Sequence, residues 1–358
     1  MAKFMMIDEN VRRRLFWLLQ RISSYSLWQR KRNAWAQFAE KYEEALKTWP
    51  EEKTSGFDPK GIINIYDALR LYDEGLTDLA TGNRQVWQRK TGAFHQLARP
   101  VDLVESFFWG PCHERWVHVE PYPDHVIPLD NLRFSAEYRG DDLLYPPQDN
   151  VCNIIDADYL LDSSRYNGVF HSWPYPVFPK NLPPVPDNID VIIKTGDIVP
   201  CDGIWEPVKL RHSRKFLVIP TEVNGFNTRG AFNYFIRGMT APLQHSEGLN
   251  VDAEWRLVWE DTRYCDGVIP DESEYFLNEA QGLRIQCRSG EKCPHSGQWA
   301  TLAGGQQQFA YVWARSEMPE AKVFNGAYRD QKLIPAVWSL LDRDDGGSPF
   351  EANPGENP

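Results

Sequence analysis

Between residues 254 and 276 the chain reads EWRLVWEDTRYCDGVIPDESEYF, which places seven carboxylates in 23 positions. Such a cluster suits an active site, a docking surface or simply a wet face. Carboxylates beside aromatic walls are the equipment of glycoside hydrolysis, where one carboxyl must stay protonated while another is ionised. Glu206, next to Trp205 in GIWEPV, with Asp261, Asp266 or Glu272 near Trp259, is the corresponding set for a carbohydrate-active enzyme, most simply Glu206 with Asp261 or Glu272. Metal chemistry has weaker support. Cys287, Cys293 and His295 in CRSGEKCPH are spaced too widely for a zinc knuckle, and no second cysteine pair follows, so structural thiols and no bound metal are expected. Nucleophilic catalysis lacks its signatures: there is no G-x-S-x-G elbow, no phosphate loop and no H-E-x-x-H. Cys112 and His113 are sequence neighbours, which normally points their side chains apart. No cofactor is implied.

The elements that must position these residues fall into two textures. Val11, Leu15, Leu18, Leu19 and Ile22 recur at helical steps, followed by an aromatic stripe of Trp28, Trp35, Phe38, Tyr42, Leu46 and Trp49, for which Ser26 is the expected cap. After Pro50, Asp58 and Pro59 read as the cap and first position of a third helix with Ile62, Ile65, Leu69, Tyr72, Leu76 and Leu79 on one face. Weaker helical stretches run from Val86 to Leu97 and from Val101 to Trp109. Beyond Gly110 the chain turns to Pro, Tyr, Asp and short apolar runs, and residues 171–188 hold six prolines, the composition of a stiff connector. IDVIIKTG, KFLVIP, EWRLVWED, GLRIQC and FAYVWA then read as strands, whereas TRGAFNYFIRGM suits either a helix or a loop. The expected fold class is α+β, a helical bundle followed by a mixed, β-containing domain. Its divisions are a helical module over 1–110, an irregular Pro-rich connecting region over 111–190, an α+β module over 191–341 and a disordered tail over 342–358. CDGIWEP at 201 and CDGVIPD at 265 form an internal echo too short to define a repeat.

The totals narrow the function classes. At 358 residues the chain exceeds what one core usually serves, and 42% apolar with 13% aromatic residues supplies ample material for two. Fourteen Trp, fifteen Tyr and eighteen Phe point to cores and interfaces before sugar platforms. A net charge of -11 argues against nucleic acid and favours a basic partner, although residues 1–49 hold ten basic against five acidic side chains. Six cysteines in such a length are too sparse for a disulfide scaffold, and no signal peptide or apolar membrane span is readable, so a cytoplasmic protein is expected.

Three stretches taken together carry a resemblance: TGDIVPCDGIWEPV, WRLVWEDTRYCDGVIPDESEYF, and CRSGEKCPHSGQWATLA running to SEMPEA. Their order and spacing resemble immunity protein family 72 of bacterial polymorphic-toxin systems, and RRRLFWLLQRISSYSLWQRKRNAW with YDEGLTDLATGNRQVW resembles the family 71 module. The resemblance implies a non-catalytic inhibitor of a secreted antibacterial toxin, often one delivered by type VI secretion. It also implies scaffold roles for Trp205, Glu206, Pro207, Trp255, Trp259, Tyr264, Gly267 and Trp299. Trp255, Leu257 and Trp259 would then share one strand face, with Arg256 and Val258 on the other, and Asp266-Gly267 would turn the chain. Glu260, Asp261, Asp266, Asp271, Glu272 and Glu274 would form a negative face that steers a basic toxin inward. Self-association through aromatic surface is the competing use of such side chains.

Overall fold

A computed structural model of the chain describes residues 3–50, 61–109, 127–162, 165–166, 175–187, 189–214, 220–246, 248–277, 284–303, 306–325, 330–347 and 349. The class is α+β, with helices first and antiparallel strands after. Helix α1 (Glu9–Ile22) begins where the Asp8 side chain accepts the Asn10 N–H, and it buries Val11, Leu15, Leu18, Leu19 and Ile22 as the spacing requires. Phe16, Trp17, Arg12 and Arg21 are buried as well, so α1 is enclosed on more than one side. Helix α2 (Tyr25–Thr48) is capped by Ser24 rather than Ser26, with the Ser24 hydroxyl accepting from the Leu27 N–H. Ser26 lies two residues further on, already inside the helix, where its N–H goes to the Glu272 carboxylate at 2.8 Å. Helix α3 (Gly61–Leu79) packs on α2, and the Trp35 indole donates to the Ile65 carbonyl at 2.9 Å. The cap expected at Asp58 lies outside the described residues. A 3-10 turn (Arg84–Trp87) follows, and Phe94 stacks on Trp28 with ring centroids 4.0 Å apart.

The proline-rich stretch lies against the fold. Tyr175 accepts from Arg14 at 2.5 Å, Phe178 packs on Trp17 with centroids 5.2 Å apart, and the Pro186 carbonyl accepts from Arg256 at 3.1 Å. Chain locked into extended geometry serves here as a strap over α1 and the first sheet.

That sheet is built from β1 (Ile192–Lys194), β2 (Gly203–Arg214), β3 (Pro220–Thr228), β4 (Asn233–Phe235) and β7 (Glu254–Glu260). Its order is β1-β7-β2-β3, with β4 paired to the start of β2. TRGAFNYFIRGM, open between helix and loop, therefore contains a strand. KFLVIP falls mostly outside the described residues. GIWEPV opens β2, although a proline usually argues against a central strand. Pro207 fits because β4 pairs residues 203–205 while β3 pairs residues 208–214. In a strand a residue's N–H and C=O point the same way, and the Pro207 carbonyl accepts from Arg229 on that side. The missing donor thus falls where one neighbour hands over to the next. Alternation along β7 is also overridden, since Trp255, Arg256, Leu257 and Val258 are all buried and Trp259 is half-buried. Core covers one face and α1 the other.

A hairpin of β5 (Gln244–Ser246) and β6 (Leu249–Val251) precedes β7. The same topology is then built again. β8 (Gln286–Arg288), β9 (Gly297–Ala303), β10 (Gln306–Val312) and β13 (Val337–Arg343) form a sheet ordered β8-β13-β9-β10, and a hairpin of β11 (Ala321–Asn325) and β12 (Asp330–Ile334) precedes β13. The two units share local bonds. Gly196 N–H donates to Ala241 as Gly290 does to Met318, Leu257 to Val191 as Leu340 does to Ile285, and Asp261 to Asp202 as Asp344 does to Ser296. The Trp255 and Trp338 indoles donate to the carbonyls of Pro242 and Pro319. The underlying repeat is KTGDIVPCDGIW at 194–205 with RSGEKCPHSGQW at 288–299. The echo of CDGIWEP with CDGVIPD is not that repeat: Cys201 precedes β2, whereas Cys265 sits in the turn after β7.

Two large apolar cores result among the described residues. One runs from Met6 to Phe276 through the helices and the first β unit, and the other joins Cys287, Cys293, Trp299, Val312, Trp338 and Leu340 in the second. β13 continues through Arg343, and Asp344 and Asp345 are hydrogen-bonded, so residues 342–347 are strand and turn rather than the tail expected there. Residues 350–358 lie outside the described set.

Candidate functional site

The carboxylates singled out by type and spacing separate into two groups. Glu206, Asp261 and Glu272 are buried, and each joins the β unit to the helical region. Glu206 on β2 accepts from Arg12 of α1 at 2.5 and 3.1 Å and from Arg256 of β7 at 2.7 Å, with the Thr228 hydroxyl adding a fourth bond at 2.7 Å. Both guanidiniums lie over aromatic faces, Arg12 on Phe232 at 4.9 Å and Arg256 on Phe226 at 4.1 Å.

Asp261, at the end of β7, accepts from Arg84 at 2.9 Å, from Arg263 at 2.7 and 2.8 Å and from the Tyr234 hydroxyl at 2.8 Å. Burial pushes its carboxyl upward, but Arg263 and Arg84 outweigh this and hold it below the usual carboxylate range. Arg263 reaches on to the Gln20 carbonyl at 3.0 Å and the Ser23 hydroxyl at 2.7 Å at the end of α1. Glu272 accepts the Ser26 N–H at the start of α2 and the Tyr264 hydroxyl, and that hydroxyl also accepts from the Tyr25 N–H at 2.8 Å.

Tyr264 takes a φ of 69°, unusual for a bulky residue, and this conformation is held by the phenol's burial between α2 and Glu272. The turn beyond it approaches the helical region closely: a Cβ at Gly82 would lie 2.7 Å from the Cys265 sulfur. Gly267 supplies the positive φ of 76°, and Asp266 accepts from the Val268 N–H at 3.0 Å.

This arrangement does not furnish an acid–base pair. Glu206 and Asp261 belong to separate arginine networks, and Asp261 is held ionised rather than protonated. Two open grooves among the described residues, of about 970 and 400 Å³, are lined by other side chains. No group of three or more metal-ligating side chains is found among the described residues, and the Cys287 and Cys293 thiols sit in the second core.

The six-residue acidic face is divided as well. Glu260, Asp266, Asp271 and Glu274 are exposed, whereas Asp261 and Glu272 point inward to arginines, a tyrosine and a helix start. Trp205, Pro207, Trp255 and Trp299 are buried, the last in the second unit, while Trp259 is half-buried with its edge toward Phe16 at 6.2 Å and Arg263 over its ring at 5.0 Å. Sequence reasoning missed the counterions. Arg12 on the buried face of α1, Arg84 in the NRQVW turn and Arg256 inside an apolar strand were the available signals, each a cation set among core positions.

Compared with known proteins, residues 6–113 match the family described as Immunity protein 71 and residues 184–277 match Immunity protein 72. No curated protein and no solved structure matches the chain.

Proposed function

Since the chain carries an immunity protein 71 module followed by an immunity protein 72 module, we propose that it neutralises a cognate antibacterial toxin by binding it and occluding its active site. The toxin is an effector of type VI secretion or a related polymorphic system, and it meets the inhibitor in the cytoplasm. The tandem family match carries this reading. Geometry supports it indirectly: the carboxylates that would serve an enzyme tie the two modules together. Among the described residues no helix is long and apolar enough to cross a membrane.

The net charge of -11 and the exposed Glu260, Asp266, Asp271 and Glu274 favour encounter with a basic toxin. The test is co-expression with the product of the adjacent gene, scored by growth, with calorimetry on the purified pair. Protection with near one-to-one binding is expected, and association should slow roughly tenfold or more between low and high salt. Absence of both protection and binding would sink the reading.

A further inference from the structure

The duplicated β units differ in what covers their outer faces. In the first unit Phe232, Tyr234 and Ile236 are 0, 3 and 0% exposed. Helix α1 covers Phe232 with the Phe16 ring and the Arg12 guanidinium, Trp87 meets Tyr234 edge-on at 5.9 Å, and Arg84 pairs with Asp261 beside it.

The second unit places Phe309, Tyr311 and Trp313 at the equivalent positions. The register fixes the equivalence, because Tyr234 pairs with Ile204 of β2 as Tyr311 pairs with Gln298 of β9. The Tyr234 hydroxyl donates to Asp261, and the Tyr311 hydroxyl donates to Asp344, the residue equivalent to Asp261. Yet Phe309, Tyr311 and Trp313 are 46, 48 and 64% exposed. Tyr311 and Trp313 pack edge-to-face at 5.0 Å, which presents them as a formed ladder above the buried Ala300 and Leu341. No ion pair of Asp344 is found among the described residues. Where the first unit buries Glu206 against arginines, the second has Ala300, paired with Phe309 and Ser339. Tyr311 lies in line with Gln298 and the exposed Asp342, so this face is an aromatic ladder bordered by two acids, Asp342 and Asp344.

We infer that this outer face of β9, β10 and β13 docks an α-helix of the cognate toxin, one presenting an aromatic or aliphatic stripe flanked by an arginine that pairs with Asp344. The chemistry follows from the first unit, where the same scaffold face is covered by a helix bearing Phe16 and Arg12 and a turn bearing Trp87 and Arg84. The inference rests on the toxin-binding reading above and names the surface and the element it takes. The face also lies beyond residues 184–277, in the part of the chain that neither family match covers.

The test uses the full chain and the adjacent gene's product, with binding by calorimetry, protection by growth and folding by thermal melting. Trp313→Ala and Phe309→Ala should each weaken binding at least tenfold, Asp344→Lys should weaken it comparably, and the melting midpoint should hold because these side chains are exposed. Ile198→Ala, at a 63% exposed apolar residue of the first unit, should leave binding unchanged. A photo-crosslinking residue at position 313 should capture a helical, arginine-bearing toxin peptide. If the wild-type chain binds and protects but all three variants bind equally well, the docking surface is wrong while the immunity reading stands. If the wild-type chain neither binds nor protects, both fall. Crosslinks from position 313 to a second copy of this chain, with a dimer lost in Trp313→Ala, would overturn the inference in favour of self-association.

Discussion

Asp261 shows how a residue chosen for its charge ends in a structural role. Enclosed with Arg84 and Arg263, it is an acceptor whose removal strands two guanidiniums away from water. Asp261→Ala should therefore destabilise the fold by about 3–5 kcal/mol, read from urea unfolding, whereas Asp266→Ala on the surface should stay within about 0.5 kcal/mol. The pH dependence follows from the lowered carboxyl. In the unfolded chain Asp261 titrates near its ordinary value of about 4, and in the folded chain below it. Its contribution is thus complete above that ordinary value and is lost as pH falls through the folded one. Unfolding curves at pH 5 and pH 3 should differ more for the wild-type chain than for Asp261→Asn; equal differences would remove Asp261 from the acid response. These pairings were not legible in the sequence, because Arg12 and Glu206 are 194 positions apart and nothing local announces their meeting.

Among elements, legibility followed periodicity. α1, α2 and α3 announce themselves because their apolar residues recur at helical steps, and β7 because it is a compact apolar run with few competing patterns. β2 was hidden by Pro207, whose missing donor is harmless only where β4 gives way to β3, a tertiary circumstance. The duplication was hidden too, since the first unit inserts the long β2–β3 arm while the second turns directly from β9 to β10. What survives are positions with no alternative. Gly203 and Gly297 take φ of 154° and 155°, and a Cβ at either would stand 2.1 or 2.0 Å from the carbonyl of Trp259 or Asp342. Gly297→Ala should cost about 2–4 kcal/mol, seen as a lower denaturation midpoint, because backbone on the neighbouring strand must move.

Over the whole molecule, the helical region and the first β unit share one core, while the second unit keeps its own. Calorimetric melting should resolve two transitions, and Gly297→Ala should lower one while leaving the other in place; a single transition shifted as a whole would show the units to be energetically coupled. The tandem matches identify the modules, but their fusion through Glu206, Asp261 and Glu272 is a property of the folded chain that no local stretch displays. That fusion sets an order in time. During synthesis α1 and α2 leave the ribosome first, yet the bonds that settle them span 194 residues from Arg12 to Glu206 and 246 from Ser26 to Glu272. Until Glu206 and then Glu272 emerge, Arg12 and Ser26 lack those partners and the nascent helices wait in an unfinished state. Ribosome-stalled chains exposing only the first 180 or so residues should be cut readily by protease, while chains exposing about 300 should resist, which makes a newly made inhibitor competent only late in its own translation.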